Sequence, residues 1–150
     1  MAETLGSLCD KLTIVKLKQW HSEEPERLRS LDVQEQQLQN EIGQYVAAAV
    51  AGRIPPEQLT FAANKIYKKE GNAVAEVAGG IGEVFSRLAD VNCRLWHEQE
   101  KVYEFENVPA NQKNDVVKQL ALLNLERTRC IDQIDKTFRD SIVNRGKREP

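Results

Sequence analysis

Apolar residues recur at helical spacing along most of this chain, and this periodicity limits the fold more than any other feature. In the first segment, Leu5, Leu8, Leu12 and Val15 fall on one face of a helix. Later segments repeat the three- and four-residue spacing, and no stretch of useful length alternates apolar and polar residues as a strand does. The pattern predicts an all-α fold, a bundle of about four long helices.

Capping residues, prolines and glycines predict where the helices begin and end. We expect helices over about residues 4–21, 25–51 and 83–106, and a last one from 111 or 114 to 144. Thr4 or Ser7 should cap the first helix and Ser22 the second. Gly52 should follow the second helix as a C-terminal cap, and Gly146 should close the last. Residues 52–82 form an irregular or short-helix connection, with a short helix over 57–68 and a turn at 71–72. Its glycines 79, 80 and 82 would either start a helix or allow close helix contact.

Size and charge predict one soluble domain. The 150 residues suffice to bury a core, and we expect a single helical domain over 1–144 followed by a basic tail over 145–150. A net charge of -2 gives no field that would attract nucleic acid or an anionic membrane, so neither is an expected partner. The start is not basic and the longest apolar run, 46–51, is short, which favours a cytoplasmic protein.

Three cysteines are widely spaced and odd in number. Cys9, Cys93 and Cys130 do not have the spacing of a metal-ligand set or of a disulfide framework. They are expected to remain free thiols that pack as small apolar residues in a reducing compartment.

Polar residues interrupt several of the apolar stripes. Asp10 and Lys11 lie in the first, Asn92 in the third, and Asn124 and Arg127 in the last, whose apolar stripe begins with Val117 and Leu120. Buried polar groups are costly unless they are partnered, so such positions predict either a satisfied network or a binding site. The full set of candidate site residues is Asp10, Lys11, Asn92, Trp96, Asn124, Arg127 and Asp135.

Three segments together resemble a small bacterial family of unknown function. They are Gly6-Ser7-Leu8-Cys9-Asp10-Lys11-Leu12-Thr13-Ile14, then Asn92-Cys93-Arg94-Leu95-Trp96, then Leu123-Asn124-Leu125-Glu126-Arg127 with Ile134-Asp135. In that family an acidic pair follows the tryptophan after two residues, whereas this chain has Gln99-Glu100. The resemblance implies a helical protein, and some members occur beside genes for surface-polysaccharide or glycosyl-transfer functions. It implies no established activity.

The polar set has two interpretations. Converging from facing helices, Arg127 and Asn124 could hold a phosphate, a carboxylate or a sugar hydroxyl, with Asp10 or Asp135 as acid, base or magnesium ligand. The alternative, which we favour, is a buried network that fixes helix register. Trp20 and Trp96 are interpreted as packing residues rather than as an aromatic wall for a sugar or base.

Cofactor and enzyme motifs are weak in this chain. Neither His21 nor His97 has a glutamate three residues before it, so no metal site and no cofactor is predicted; a weak magnesium site at Glu98, Asp132 or Asp135 stays open. Phosphate-loop, dinucleotide and nucleophile-elbow motifs are absent from the sequence. Whether the protein is an enzyme therefore stays undecided at this stage.

The sequence favours a non-catalytic helical protein that associates with itself or with a protein partner. The second helix carries apolar residues over more than one narrow face, and such a surplus face has to be covered. The alternative function is a small enzyme or binding protein for sugar or nucleotide phosphates that uses the polar set.

Overall fold

The computed structural model describes residues 2–61 and 77–148, with side chains as far as 145, and it confirms the all-α prediction. Four long helices are present: α1 (Leu5–Trp20), α2 (Pro25–Val50), α3 (Ile81–Tyr103) and α4 (Lys113–Arg148). Short 3₁₀ turns lie at Pro56–Gln58, Phe105–Asn107 and Ala110–Gln112. The predicted helix over 57–68 does not begin as expected, because the 3₁₀ turn Pro56–Gln58 lies where that helix should start. Residues 62–68 and the predicted turn at 71–72 lie outside the described residues.

The ends of α1 and α2 follow the predicted chemistry. At the start of α1 the Ser7 amide donates to Thr4 Oγ1 (3.2 Å) and the Thr4 amide donates to Ser7 Oγ (2.9 Å), so both residues share one capping box. After α2, Gly52 has a φ of +75°, the left-handed conformation that favours glycine. Its amide donates to Ala49 O (3.1 Å) and the Arg53 amide to Ala48 O (2.9 Å), which satisfies two carbonyls at the helix end.

Two predicted helix ends are wrong. Ser22 does not cap α2, because Glu24 occupies the N-cap position and makes no capping hydrogen bond through its side chain. Gly146 does not close α4, which continues to Arg148. A single glycine weakens a helix without necessarily ending it, because the cost is only about 1 kcal/mol.

The glycines before α3 begin the helix. Gly79 has a φ of +119° and Gly80 is the N-cap, whereas a Cβ at Gly82 would meet nothing within 4 Å. Gly79 and Gly80 therefore start the helix, as one of the two expectations had it. The other expectation, a close helix contact, is not met at Gly82.

The helix α1 occupies the middle of the bundle. It packs against α2, α3 and α4, while α3 and α4 pack extensively on each other. The α1–α2 hairpin is antiparallel, since Lys16 Nζ contacts Glu35 Oε1 (3.0 Å) and Gln19 contacts Asp32 (3.1 Å). By contrast, α2 packs chiefly on α1, and only its second half, through Ile42, Tyr45 and Val46, also packs against the core.

The core lies between α1, α3 and α4. Leu88, Cys130 and Ile134 are fully buried there, with Leu5 and Val84 beside them. Along α4 the chain buries Val116 and leaves Val117 57% exposed, so the predicted stripe was wrong by one residue at that point. No helix among the described residues is long and apolar enough to cross a membrane.

Candidate functional site

A polar cluster joins the three central helices at Asp10. Asn92 Nδ2 of α3 donates to Asp10 Oδ1 (2.9 Å) and to Thr13 Oγ1 (2.7 Å) of α1. From α4, Arg127 Nε lies 3.1 Å from the same Asp10 oxygen. Asp10 and Asn92 are 4% and 3% exposed. One residue from each central helix therefore meets at a single buried carboxylate oxygen.

The cluster satisfies its own polar groups. Both amide hydrogens of Asn92 have acceptors, and the Thr13 hydroxyl donates to Asp10 O (2.7 Å). The Asp10 carboxylate is balanced by Arg127, whose side chain stays 35% exposed and so keeps part of its hydration. Such partners offset part of the cost of burying the charge, and the geometry of the cluster admits few alternative helix registers.

A second contact between α1 and α4 involves Asp135. The Gly6 amide, in the first turn of α1, donates to Asp135 Oδ1 (2.6 Å). The first amides of a helix have no partner within the helix and its N-terminus carries partial positive charge, so a carboxylate is favourable there. Burial raises the pKa of Asp135 to about 6, although the Gly6 amide and the Thr4 hydroxyl both act to lower it.

Gly6 permits this approach of the two helices. A Cβ at this position would lie 2.6 Å from Ile131 O and 2.8 Å from Asp135 Oδ1. The first contact is with backbone, which cannot rotate away. Any larger residue would therefore push α1 away from α4.

Four of the seven predicted residues lie outside the cluster, and three of these take no part in the Asp135 contact either. Lys11 is exposed and pairs with Glu3 near the start of the chain. Asn124 is also exposed. Trp96 stacks on His21 with ring centroids 4.7 Å apart, and its Nε1 donates to Glu100 Oε1 (2.8 Å). The structure thus brings together Asp10, Asn92 and Arg127, and places Asp135 in a separate contact between the same two helices, α1 and α4.

Two residues of these contacts were not predicted. Thr13 lies three residues after Asp10, on the same face of α1, and that spacing was the available signal. Gly6 lies in the first turn of a helix, where a glycine lowers stability unless close packing requires it.

Two features of the described residues bear on metal binding and on nucleophilic chemistry. Within residues 2–61 and 77–148, no three His, Cys, Asp or Glu side chains are placed to hold a metal ion. Glu98, one of the possible magnesium ligands, pairs with Lys101 (2.9 Å). Burial raises the pKa of the Cys9 and Cys130 thiols to about 11, so both stay protonated and are poor nucleophiles at neutral pH.

A groove runs along the outer side of the α1–α2 hairpin. Its volume is about 290 Å³, and residues from successive turns of both helices line it. Lysines lie on the α1 side, whereas glutamine, leucine and glutamate side chains form the α2 side. The lining residues are Lys11, Ile14, Val15, Lys18, Gln34, Gln37, Leu38 and Glu41.

Comparison of the chain with protein-family models, with curated proteins and with solved structures finds no match. The family resemblance drawn from the three sequence segments therefore stays a prediction. What the fold and the cluster define is a class: an all-α bundle whose central helices are joined by buried polar contacts.

Proposed function

We propose that this protein is a self-associating helical module, and that a second copy covers the outer side of the α1–α2 hairpin. The observation that carries the proposal is the incomplete burial of α2. Of its 26 residues, only Leu31 and Ala49 are buried. Its other large apolar side chains are half-buried or exposed, namely Leu28, Val33, Leu38, Ile42, Tyr45, Val46 and Val50.

Such a helix gains stability if another surface covers it. Burial of apolar surface contributes about 25 cal/mol per Å² removed from water. Ile42, Tyr45 and Val46 of α2 pack against the core within one copy, whereas Val33 and Val50 are 57% and 43% exposed. Leu28 and Leu38 are half-buried. The α1, α3 and α4 helices bury their own apolar stripes against each other, so the α1–α2 side is the favoured place for association.

The groove has the features of a two-fold contact. In such a contact both copies use the same patch, so a residue of one copy contacts a different residue of that patch on the other copy. Lys18 lies on the α1 side of the groove and Glu41 on the α2 side. Two hairpins that meet across this groove would place lysine of each copy near glutamate of the other and would complete a four-helix arrangement.

Two valines with equal exposure provide a matched test. Val33 lies on α2, one turn before Gln37 of the groove, and Val117 lies on α4; each is 57% exposed. Light scattering at micromolar concentration should show a dimer for the native protein. Val33→Asp should shift it to monomer, because a charge in an apolar contact costs several kcal/mol, while Val117→Asp should stay a dimer. A native monomer, or equal behaviour of the two variants, would contradict the proposal.

The alternative function, a binder of sugar or nucleotide phosphates, has weaker support. Of the two residues that would hold the anion, Arg127 already pairs with Asp10 (3.1 Å) and Asn124 is exposed outside the cluster. Asp10, which would act as acid, base or magnesium ligand, is buried and also accepts from Asn92. The two functions differ in what Arg127→Ala does. A phosphate binder would lose its ligand and keep its fold, whereas in the proposed module the variant loses thermal stability, because the buried Asp10 side chain loses its ion-pair partner.

A further inference from the structure

The two ends of the groove between α1 and α2 carry different side chains. Because the hairpin is antiparallel, Lys18 of α1 lies level with Gln34 of α2, at the end of the groove near the turn between the helices. Seven residues earlier on α1, Lys11 lies level with Glu41, at the other end. Seven residues of helix span roughly 10 Å, which is therefore the distance between the two ends.

Two of the three charged side chains that line the groove have no partner within one copy. Lys11 forms an ion pair with Glu3. In the part of the chain that the structure describes, Lys18 and Glu41 form no ion pair and no side-chain hydrogen bond. The charge that lacks a partner is therefore positive at the Lys18 end of the groove and negative at the Glu41 end.

We propose that the second copy binds end for end, with the two-fold axis crossing both helices at the middle of the groove. This inference rests on the proposed self-association and adds the orientation of the partner. Rotation about such an axis brings the Lys18 end of one copy onto the Glu41 end of the other. The two charges that lack a partner within one copy then meet twice in the dimer, once at each end.

The other two-fold arrangement suits these charges less well. An axis that runs along the helices would keep each end of the groove beside the same end of the second copy. Lys18 of both copies would then lie at one end and Glu41 of both copies at the other, where like charges repel. Neighbouring helices are antiparallel in both arrangements, so the helix dipoles do not choose between them. The charged residues therefore favour the axis that crosses the helices.

The middle of the groove offers an apolar surface for the axis to cross. Ile14 and Leu38 line it there and are half-buried within one copy, and Val15 beside them is buried. In the proposed orientation α1 faces α1 and α2 faces α2, so Ile14 and Leu38 each meet the same residue of the second copy. The contact would have an apolar centre and charged ends, as protein interfaces commonly do.

Reversal of the two charges tests the orientation through the dissociation constant of the dimer. Lys18→Glu places two glutamates together at each end of the contact and should weaken the dimer about tenfold. Glu41→Lys should weaken it similarly. The double variant restores opposite charges at both ends, so its dissociation constant should return to within about threefold of the native one. Light scattering over a dilution series measures all four proteins, and circular dichroism checks that they fold.

Disulfide cross-linking gives a second test that does not depend on charge. Gln37 lies near the proposed axis, whereas Gln34 lies one turn away, and both are exposed. A Cys93→Ser background removes the exposed thiol of the chain. In that background, Gln37→Cys oxidised in air should link two copies, because it meets itself across the axis within disulfide reach. Gln34→Cys should not, since the two copies of that residue lie roughly 10 Å apart along the helices.

The outcomes separate the orientation from self-association itself. A native monomer would overturn both. A native dimer whose dissociation constant is unchanged by Lys18→Glu would overturn the orientation alone, because an axis along the helices exchanges one like pair for another. Equal cross-linking of Gln34→Cys and Gln37→Cys would do the same. A dimer that each single reversal weakens, that the double variant restores and that Gln37→Cys links would support the proposal.

Discussion

The centre of the bundle and its α2 side differ in how completely their polar groups are paired and their apolar side chains are buried. At the centre, Asp10, Asn92 and Arg127 are polar residues with partners, and the surrounding apolar residues such as Leu88 are fully buried. On the α2 side, apolar residues such as Leu38 stay half-exposed and line an open groove. The comparison indicates that the centre is closed within one copy, whereas part of α2 is left open; in the proposed function a second copy covers that part.

The largest expected difference between the regions is in the cost of removing a leucine. Leu88→Ala should lower the free energy of unfolding by about 4 kcal/mol, because it leaves a cavity in a closed core. Leu38→Ala should cost about 1 kcal/mol in a monomeric background, because the site is already open to water. Denaturant unfolding measures both. Equal costs would show that α2 is as well packed as the centre.

Removal of the central carboxylate should have the next largest effect. Asp10→Ala leaves Arg127 without its counter-ion and Asn92 without one acceptor, so we expect a loss of about 2 kcal/mol, reduced because Arg127 is partly hydrated. The neighbouring exposed residue gives the control, since Lys11→Ala should change stability by less than about 0.5 kcal/mol. A small effect of Asp10→Ala would mean that the cluster does not hold the helices together.

The Asp135 contact predicts a pH dependence at the centre. Its folded pKa of about 6 lies above the ordinary value of 3.8, so the folded state holds the proton more tightly. The contribution of Asp135 to the free energy of unfolding should therefore fall by about 2 kcal/mol as pH rises from about 4 to 6, and it should be regained on acidification. Asp135→Asn, which keeps an oxygen for the Gly6 amide, should remove that contribution. If the free energies of unfolding of the native protein and of Asp135→Asn change in parallel between pH 4 and 7, the pKa of Asp135 is not raised.

The smallest effect concerns Tyr45 on α2. Its hydroxyl oxygen is buried and has no hydrogen-bond partner among the described residues, and burial raises its pKa. Tyr45→Phe should therefore leave stability unchanged or raise it by up to about 1 kcal/mol. A clear loss of stability in thermal unfolding would show that the hydroxyl does have a partner.

Local signals in the sequence were enough to predict the helices. The Thr4 and Ser7 caps, Gly52 after α2 and the apolar spacing of α1 and α3 all act within one or two turns. Part of the site was also predictable, because Asp10 and Asn92 interrupt apolar stripes. These features depend on neighbours along the chain rather than on the tertiary arrangement.

The predicted burial of Val117 and Asn124 on α4 was wrong, because burial depends on how far a neighbouring helix extends. Val117, Asn124 and Asp135 fall within about 20° of one another around α4, at 100° per residue. Asp135 is buried because α1 covers it at Gly6, whereas Val117 and Asn124 are exposed on the same strip. Periodicity gives the face of a helix but not the length over which that face is covered.

In the proposed function, α2 is fully covered only when a second copy binds. Amide hydrogen exchange measured over a range of protein concentrations tests it directly. We expect the α2 amides to exchange more slowly as concentration rises through the dissociation constant, while amides of α3 keep a constant rate. Protection of α2 that does not change with concentration, or that changes equally in α3, would contradict the account.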